Sequence, residues 1–501
     1  MKSLKNLCAA LCLLLALALL ASCGDTGGQA DTTAGDLTTA EAGSGSDITT
    51  IADETTGIEF PDADFGGQSF NVYIRKNTYY SGDYIDAETE NGDLMNDTVF
   101  RRNSIVEEKY KIVIDSKTAP SPYQTLDKDI AGGVCDYDLI LDRRADLAGT
   151  SVSGLLYDFN SIDIDYTRPW WDNNAQGYAI KGRLFLMAND VDTGVISGAR
   201  FLYFNRGLID SFHLEDPYEL VKANEWTLEK FLTLVKGAHS DSISGGIGIY
   251  GLLRETGSSN GNHMHFLVGC GVQSTETDPD GNLRQAIGDK TEKISDIFDQ
   301  LRPVLTDTSL CMTYDEVNER FTEGSYSSKW YRGRGAFAAG HFLFIQNGMD
   351  VSVEISDMTD RYGVAPNPKY NSDQENYYHK VDRFSAIWGI PNTPDRIDFD
   401  RLEKVFDYWA YVSSETVMPA YYEVTIKTRR FSDPVASEMI DIVKGSLVYD
   451  AGDIYGLNIL GTLDSAFVSG NVGSALNAQY LKTIDVSIKS IVSSIESKYG
   501  G

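Results

Sequence analysis

The chain has 501 residues and a strongly acidic composition, with 43 lysines and arginines against 73 aspartates and glutamates and a formal net charge of −30 at pH 7. A surface with this charge repels nucleic acid and anionic lipid, which argues against either as a partner. The length predicts two or more hydrophobic cores rather than one.

The N-terminus has the layout of a secretory signal. Lys2 and Lys5 precede an apolar run, Leu7 to Ala21, that is too short and too early for a membrane span. Small residues then precede Cys23, which resembles the lipobox of bacterial lipoproteins. We therefore expect residues 1–22 to be a lipoprotein signal peptide and Cys23 to be lipidated. The alternative is an ordinary signal peptide with a cysteine at its cleavage site.

The segment after the signal, residues 23–60, is dominated by Gly, Ser, Thr, Ala, Asp and Glu. It contains too little apolar surface to offset the entropy of ordering, so we interpret it as a flexible acidic tether. Loss of Lys2 and Lys5 with the signal peptide would change the net charge from −30 to −32. No later segment is apolar over the length of a bilayer, so we expect the rest to be extracellular and held to the membrane through the lipid alone.

Three cysteines remain after Cys23, namely Cys135, Cys270 and Cys311. An odd number in a chain of this size argues against a disulfide framework, so we expect all three to be buried packing residues. A bridge between Cys270 and Cys311 stays open as an alternative.

From residue 61 onward, strand patterns alternate with helix patterns, which favours layered α/β lobes with parallel sheets. The residues with alternating or apolar strand patterns are 70–74, 112–114, 137–142, 183–187 and 201–204. The predicted helices are a segment from an N-cap at Asn96-Asp97 to Tyr110, and residues 124–131, 226–236, 293–305 and 484–495.

Short motifs recur in a fixed order from about Phe65 to the C-terminus. They are Phe65-Gly66-Gly67, Arg102-Asn103, Tyr137-Asp138-Leu139-Ile140, Trp170-Trp171-Asp172, Lys181-Gly182-Arg183, Phe204-Asn205-Arg206, Trp226-Thr227, Gly335-Ala336-Phe337, Tyr362-Gly363-Val364-Ala365-Pro366 and Tyr449-Asp450. By their order and spacing, the chain resembles the bacterial extracellular solute-binding proteins of ABC importers, in the maltose-binding-like group.

The resemblance implies a two-lobed periplasmic-binding-protein type II fold, the Venus flytrap, in which the chain crosses between two α/β lobes several times. By motif, residues 65–188 plus 334–380 would form lobe 1, and residues 189–333 plus 381–501 would form lobe 2. One hinge crossing would lie near Met187 to Asp192.

Ligands of open α/β sheets bind beyond the carboxyl ends of the strands. Asp142 and Arg143 follow a predicted strand there, and such a pair can bond adjacent sugar hydroxyls. The alternative is a structural salt bridge. Trp170, Trp171 and Asp172 follow a proline, and an exposed indole can stack on a pyranose, although packing within the lobe explains the tryptophans equally well.

Further candidate ligand contacts lie near the crossings. Asp190, Asp192 and Arg200 flank the inferred hinge, and their polar side chains could reach a ligand. The other candidates, with cation–π pairing or core packing as the alternative, are Trp330, Arg332, Arg334 and Trp388, the first three on a predicted glycine-flexible loop.

The chain has no serine-nucleophile elbow, phosphate loop, zinc helix or dinucleotide fingerprint. His263 and His265 have a spacing that could share a metal in a strand, but no further ligands occur at a recognisable spacing. We therefore expect no cofactor and no metal, and the resemblance implies a binding protein without enzymatic activity.

The resemblance implies a monomeric, lipid-anchored extracellular protein of a Gram-positive type of bacterium. It would bind a small polar solute, a carbohydrate, and deliver it to the transmembrane subunits of an ABC permease. Two alternatives remain open, a lipid-anchored glycosidase-like enzyme and a solute sensor that is not coupled to transport.

Overall fold

The computed structural model describes residues 58–76, 84–241, 247–255, 261–349, 351–426 and 434–500. The predicted signal peptide, Cys23 and nearly all of the predicted tether lie outside these ranges. Phe60, the last residue assigned to the tether, is buried and stacks on Tyr411 with 4.8 Å between ring centroids, so the folded part begins slightly earlier than predicted.

The described residues form strands and helices that alternate along most of the chain. The strands are β1 (Gln68–Arg75), β2 (Ile112–Ala119), β3 (Leu139–Arg143), β4 (Leu156–Tyr157), β5 (Phe201–Asn205), β6 (Tyr250–Arg254), β7 (Thr275–Thr277), β8 (Leu283–Gln285), β9 (Cys311–Thr313), β10 (Phe342–Asn347), β11 (Tyr362–Ala365), β12 (His379–Lys380), β13 (Ala386–Pro391) and β14 (Leu447–Val448).

The helices are α1 (Leu94–Tyr110), α2 (Tyr123–Ala131), α3 (Arg144–Val152), α4 (Gly194–Gly198), α5 (Arg206–Ser211), α6 (Pro217–Lys222), α7 (Leu228–Gly237), α8 (Asn262–Gly269), α9 (Thr291–Leu305), α10 (Tyr314–Arg320), α11 (Lys329–Ala338), α12 (Val351–Glu354), α13 (Phe399–Glu415), α14 (Val417–Ile426), α15 (Pro434–Gly445), α16 (Ala451–Ile454), α17 (Ile459–Ser469), α18 (Val472–Ala475) and α19 (Ala478–Tyr499). Short 3-10 helices occur at Phe159–Ser161 and Asn173–Tyr178. No helix in the described ranges has the length and apolar character needed to span a bilayer.

Two five-stranded sheets share one topology. The first has the order β2-β1-β3-β13-β4, and β13 runs antiparallel to its neighbours β3 and β4. The second has the order β9-β6-β10-β5-β11, and β5 runs antiparallel to its neighbours β10 and β11. Each sheet therefore has three adjacent parallel strands, then one strand antiparallel to them, and then an edge strand that runs in the same direction as the first three.

The central strands of both sheets are apolar on both faces because helices cover both sides. Leu139, Ile140 and Leu141 of β3 are all fully buried, and so are Phe342 to Ile345 of β10. The strand pattern predicted at residues 137–142 therefore reflects a central parallel strand, paired with β1 in the register Val72 to Leu139.

The chain passes from the first sheet to the second and later returns. The two connecting segments lie side by side, with bridges between Met187 and Trp388 and between Ala199 and Val381. The predicted crossing near Met187 to Asp192 falls in the first connecting segment. We call residues 187–200 the first crossing segment and residues 380–388 the second crossing segment.

The predicted assignment of the later residues to lobes is wrong for their strands. Residues 334–380 were expected in lobe 1, but β10 and β11 pair with β5 and β6 in the second sheet. Residues 381–501 were expected in lobe 2, but β13 pairs with β3 in the first sheet. An apolar strand pattern does not encode which sheet the strand joins, because pairing depends on residues far away in the chain.

Most helices begin close to their predicted starts, and their caps explain the exceptions. The N-cap of helix α1 is Asp93, three residues before Asn96, because the Asp93 carboxylate accepts a hydrogen bond from the Asn96 N–H at 2.9 Å. Asp97 instead accepts from the Asn91 N–H at 2.7 Å. In the C-terminal helix α19, Ile484, Ile488 and Ile495 are buried, as their spacing predicts.

Cys135, Cys270 and Cys311 are buried free thiols, which confirms the prediction that they are packing residues. The alternative bridge between Cys270 and Cys311 is not formed. Burial raises the pKa of both thiols to about 12, so they are poor nucleophiles.

Candidate ligand-binding site

A cavity of about 360 Å³ lies where the first crossing segment leaves the first sheet, and we call it the crossing cavity. Its walls come from the loop before Asn173–Tyr178, from the first crossing segment, and from helices α14 and α15. The lining residues are Pro169, Trp171, Asp172, Asn189, Asp190, Asp192, Val195, Ile196, Met418, Asp441, Lys444, Gly445 and Leu447.

Backbone hydrogen bonds hold the floor of this cavity. The first crossing segment extends the first sheet beyond β13, and its other edge bonds the loop that contains the two tryptophans. The Asp172 N–H donates to the Ala188 carbonyl, and the Asp190 N–H donates to the Trp170 carbonyl, both at 3.0 Å. This pairing brings Asp172, Asn189 and Asp190 to the carboxyl end of the sheet, where ligands of such folds bind.

Trp170 and Trp171 are buried packing residues rather than exposed plates. They are 2% and 5% exposed, and both indole N–H groups donate to Oδ1 of Asp407 at 2.8 Å. Arg168 bonds the other oxygen of the same carboxylate. Trp171 still contributes part of the cavity wall, whereas Trp170 is not among the lining residues.

Asp172 and Asp190 are partly buried carboxylates in the cavity wall. The Tyr449 hydroxyl donates a hydrogen bond to Asp172, and burial raises the pKa of this carboxyl. Burial also raises the pKa of Asp190 to about 6, although the Lys444 ammonium lies 3.5 Å away and opposes this shift. Asp192, 4% exposed, is the third carboxylate predicted here that lines the cavity.

Asn189 contributes an amide that sequence reasoning placed near the hinge but did not select. Its side chain is 4% exposed, and its Oδ1 accepts a hydrogen bond from the Val191 N–H at 3.2 Å. Its Nδ2 is buried and has no hydrogen-bond partner among the described residues. A buried donor of this kind is costly unless an acceptor is supplied from elsewhere.

Asp142 is a structural ion pair, as the alternative interpretation held. It is fully buried, bonded by the Arg75 guanidinium, and accepts the Tyr123 N–H at 3.0 Å. Arg143, the neighbouring candidate, is partly exposed and lies 5.3 Å from the ring of Phe384. Phe384 is 43% exposed at the same edge of the sheet. It was not among the predicted candidates, because a single phenylalanine forms no recognisable sequence motif.

Arg200 connects the first crossing segment to the second sheet and to the second crossing segment. Its guanidinium lies 3.1 Å from both Glu255, which follows β6, and Asp382. It also donates to Asn347 at the end of β10 at 3.2 Å. Burial opposes the charge on Asp382, yet Arg200 and Lys380 lower the pKa of this carboxyl. Arg200 is thus occupied by partners on three segments and does not line the crossing cavity.

Trp330, Arg332 and Arg334 lie on helix α11 and not on the flexible loop that the glycines predicted. Trp330 packs on Tyr314 with 4.8 Å between ring centroids, Arg332 donates to the Phe321 carbonyl at 2.7 Å, and Arg334 is paired with Glu354. None of the three lines the crossing cavity.

The glycines of helix α11 serve close packing. A Cβ at Gly333 would lie 2.4 Å from the Tyr314 ring, and one at Gly335 would lie 2.2 Å from the Tyr326 hydroxyl. These contacts explain why glycine occupies both positions of this helix.

Trp388 and the two histidines are also core residues. Trp388 is fully buried against Phe406 and Trp409 and does not line the crossing cavity. His263 and His265 lie on helix α8, where residues two apart point in different directions. The described residues contain no cluster of three or more His, Cys, Asp and Glu side chains suited to a metal.

Four of the twelve predicted ligand contacts therefore come together, namely Trp171, Asp172, Asp190 and Asp192. The opposite wall, which includes Met418, Asp441 and Lys444, was missed. Lys444 lies in the last turn of α15, where a basic residue is common for reasons of helix stability. Its local sequence therefore carried no sign of a binding role.

Comparison with known proteins identifies the fold. No protein-family model matches the chain, and no curated protein sequence does so. Among solved structures, an ABC substrate-binding protein from Listeria monocytogenes in complex with cycloalternan is similar at 13% identity, with a TM-score of 0.52 over 84% of this chain and 99% of that chain. A cyclo/maltodextrin-binding protein complexed with maltotetraose is similar at 14% identity, with a TM-score of 0.52 over 87% of this chain and 98% of that chain.

The fold is therefore that of the maltose-binding-like, type II periplasmic-binding proteins, as predicted. The matches cover nearly the whole of each solved chain.

Proposed function

We propose that this protein is an extracellular solute-binding protein that holds a carbohydrate in the crossing cavity and delivers it to the transmembrane subunits of an ABC permease. The observation that carries the proposal is the position of the cavity at the first crossing, between elements packed on different sheets. The named ligands of the two similar structures, cycloalternan and maltotetraose, support a carbohydrate.

The chemistry of the cavity suits a polyhydroxylated ligand. The carboxylates of Asp172, Asp190 and Asp192 can each accept hydrogen bonds from adjacent hydroxyls. The amide of Asn189 can donate to a ring or hydroxyl oxygen, and Trp171 and Met418 supply apolar surface for C–H groups. A volume of about 360 Å³ lies within the usual range for small-molecule pockets.

The walls of the cavity explain how a ligand would favour a closed state. Trp171 and Asp172 are anchored on elements of the first sheet, whereas helix α15, which contains Asp441 and Lys444, packs against β11 of the second sheet. A ligand that contacts both walls binds the closed arrangement more tightly than the open one, and so shifts the population toward it. The closed form is what a permease would recognise.

The remaining parts of the proposal concern location and assembly. Residues 1–22 would direct export, and lipidated Cys23 would hold a monomeric protein on the outer face of the membrane of a Gram-positive type of bacterium. Incorporation of a radiolabelled fatty acid into the wild type, and its loss in Cys23→Ala, is the expected result. Labelling of both proteins would contradict the lipid anchor.

The binding proposal is tested by thermal denaturation of the purified protein with a panel of neutral, amino and acidic sugars and short peptides. A ligand at 100 times its Kd stabilises the native state by about 2.7 kcal/mol, which raises the melting temperature measurably. Asp190→Asn should reduce the shift, and Asp299→Asn, an exposed position on α9, is the matched control. A response to peptides with no response to any sugar would overturn the carbohydrate assignment.

The alternative functions give different results in two further experiments. Hydrolysis of a glycan, lost in Asp172→Asn or Asp190→Asn, would favour a carbohydrate-active enzyme with these two carboxylates as its pair. Sugar binding without permease genes beside the gene for this protein would favour a sensor. Uptake of the bound sugar that depends on this gene is the result expected for transport.

A further inference from the structure

The crossing cavity has a marked excess of negative charge. The carboxylates of Asp172, Asp190, Asp192 and Asp441 line it, and Lys444 supplies the one cationic side chain among the described lining residues. A neutral sugar needs hydrogen-bond acceptors, but it does not compensate the charge of several carboxylates in a small space. The net negative charge of the cavity wall therefore indicates which class of ligand it suits.

The negative charge of Asp190 is only weakly compensated by Lys444. Its side chain is 14% exposed, whereas its partner Lys444 is 43% exposed and lies at 3.5 Å, beyond the distance of a strong hydrogen bond. Burial is the main cause that raises the pKa of Asp190, and the neighbouring Asp172 carboxylate raises it further. Tyr422 and Asp441 lie near it on α14 and α15, and neither adds positive charge. Removing a cation from such a site is costly, and adding one is favourable.

Lys444 is suited to leave this position when a ligand enters. It is at the C-terminal end of α15, and its long side chain can extend into solvent at little cost in contacts. Asn189, by contrast, is fixed, and its buried Nδ2 donor has no partner among the described residues. The site therefore has a replaceable cation beside Asp190 and a fixed donor one residue before it.

We propose that the ligand of the crossing cavity is a carbohydrate with a protonated amine, whose ammonium group takes the place of Lys444 beside Asp190. An oxygen of the same sugar accepts the hydrogen bond from Asn189 Nδ2. This inference rests on the proposed function and names the class of sugar. The same charges exclude sugar acids and sugar phosphates, since their anionic groups would meet four carboxylates.

The experiment is calorimetric titration of the purified protein with oligosaccharides of one length and linkage that differ in a single group. The probes are glucosamine oligomers, their N-acetylated counterparts, the corresponding neutral glucose oligomers and the corresponding glucuronic acid oligomers. We expect the free amines to bind about tenfold or more tightly than the N-acetylated and neutral forms. We expect the acids to bind most weakly.

Two variants locate the recognition at Asp190. Asp190→Asn should remove the preference for the amine while neutral binding persists, and Lys444→Met should strengthen amine binding because the competing cation is gone. Lys489→Met, at an exposed position on α19, is the control for Lys444→Met and should change nothing. Circular dichroism of each variant shows that it is folded.

The outcomes separate this inference from the function on which it rests. Equal binding of the amine, acetylated and neutral oligomers, or preference for the acids, would overturn the amine assignment and leave sugar binding in place. Weaker amine binding by Lys444→Met would likewise overturn the amine assignment and leave sugar binding in place. Failure of every sugar to bind would overturn the proposed function itself and this inference with it.

Discussion

Replacement of Asp407 tests whether one carboxylate holds the tryptophan pair beside the crossing cavity. Asp407 lies on α13 and is 9% exposed, and it accepts both indole N–H groups and the Arg168 guanidinium. In Asp407→Ala two buried donors and one partly buried cation lose their acceptor. We expect the free energy of unfolding to fall by about 3–5 kcal/mol.

A conservative variant separates the hydrogen bonds from the charge. In Asp407→Asn one oxygen remains as an acceptor for the indoles, but the amide nitrogen faces Arg168. We expect a smaller loss of about 1–2 kcal/mol. The control is Asp400→Ala on the same helix, where the carboxylate is 65% exposed and paired with Lys404. A surface pair of this kind contributes less than about 1 kcal/mol.

The measurement is urea denaturation followed by circular dichroism, with the slope of each transition compared to show that all variants unfold from a similar native state. Since Trp171 forms part of the cavity wall, Asp407→Ala should also weaken ligand binding. If Asp407→Ala destabilises the protein no more than Asp400→Ala does, the carboxylate is not what fixes the tryptophans, and the account of this wall is wrong.

Three further predictions concern buried charge. Asp142→Ala should lower the free energy of unfolding by about 3–5 kcal/mol, because Arg75 loses its buried partner, and a double variant with Arg75→Met should lose less than the sum of the single changes in urea denaturation. The pKa of Asp190 is about 6, above its ordinary value of 3.8, so the folded protein holds this proton more tightly than the unfolded chain does. The free energy of unfolding of the ligand-free protein should therefore fall by up to about 3 kcal/mol as the pH rises from about 4 to 6. Denaturation at both pH values should show that Asp190→Asn lacks this fall. Burial lowers the pKa of His379 from 6.5 to about 3, so its contribution to stability is present above pH 6.5 and is lost as the pH falls; His379→Gln should reduce the difference in unfolding free energy between pH 7 and pH 5.

Local structure could be predicted from the sequence because it depends on local periodicity. The alternation at residues 70–74, the apolar run at 137–142 and the isoleucines of α19 all correspond to observed elements. The segment at 183–187 is extended but forms isolated bridges rather than a regular strand, since the chain is already leaving the sheet there. Local periodicity could not predict which sheet the later strands join, because β10 and β11 both pair with β5, more than 130 residues earlier.

The roles of the candidate residues depended on partners far away in the chain. Asp142 is neutralised by Arg75, which ends the neighbouring strand β1, and the tryptophans are held by Asp407, 237 and 236 residues later. Nothing in the sequence near these residues distinguishes a paired carboxylate from one that binds a ligand. The alternatives of salt bridge and core packing were accordingly the correct ones for Asp142, Trp170 and Trp388.

The difference between Asp142 and Asp190 follows from where each lies on the first sheet. Asp142 is the last but one residue of the central strand β3, and the parallel strand β1 beside it ends at the same edge, so Arg75 lies within reach to satisfy its charge. Asp190 and Asn189 lie where the main chain leaves the sheet, beyond its last regular strand, and an exposed lysine on a helix packed against the other sheet is what faces Asp190. Polar groups at the strand ends are therefore used by the fold itself. Under the proposed function, Asn189 and Asp190 are the groups that a ligand would bond, and such a ligand would contact both sides of the crossing.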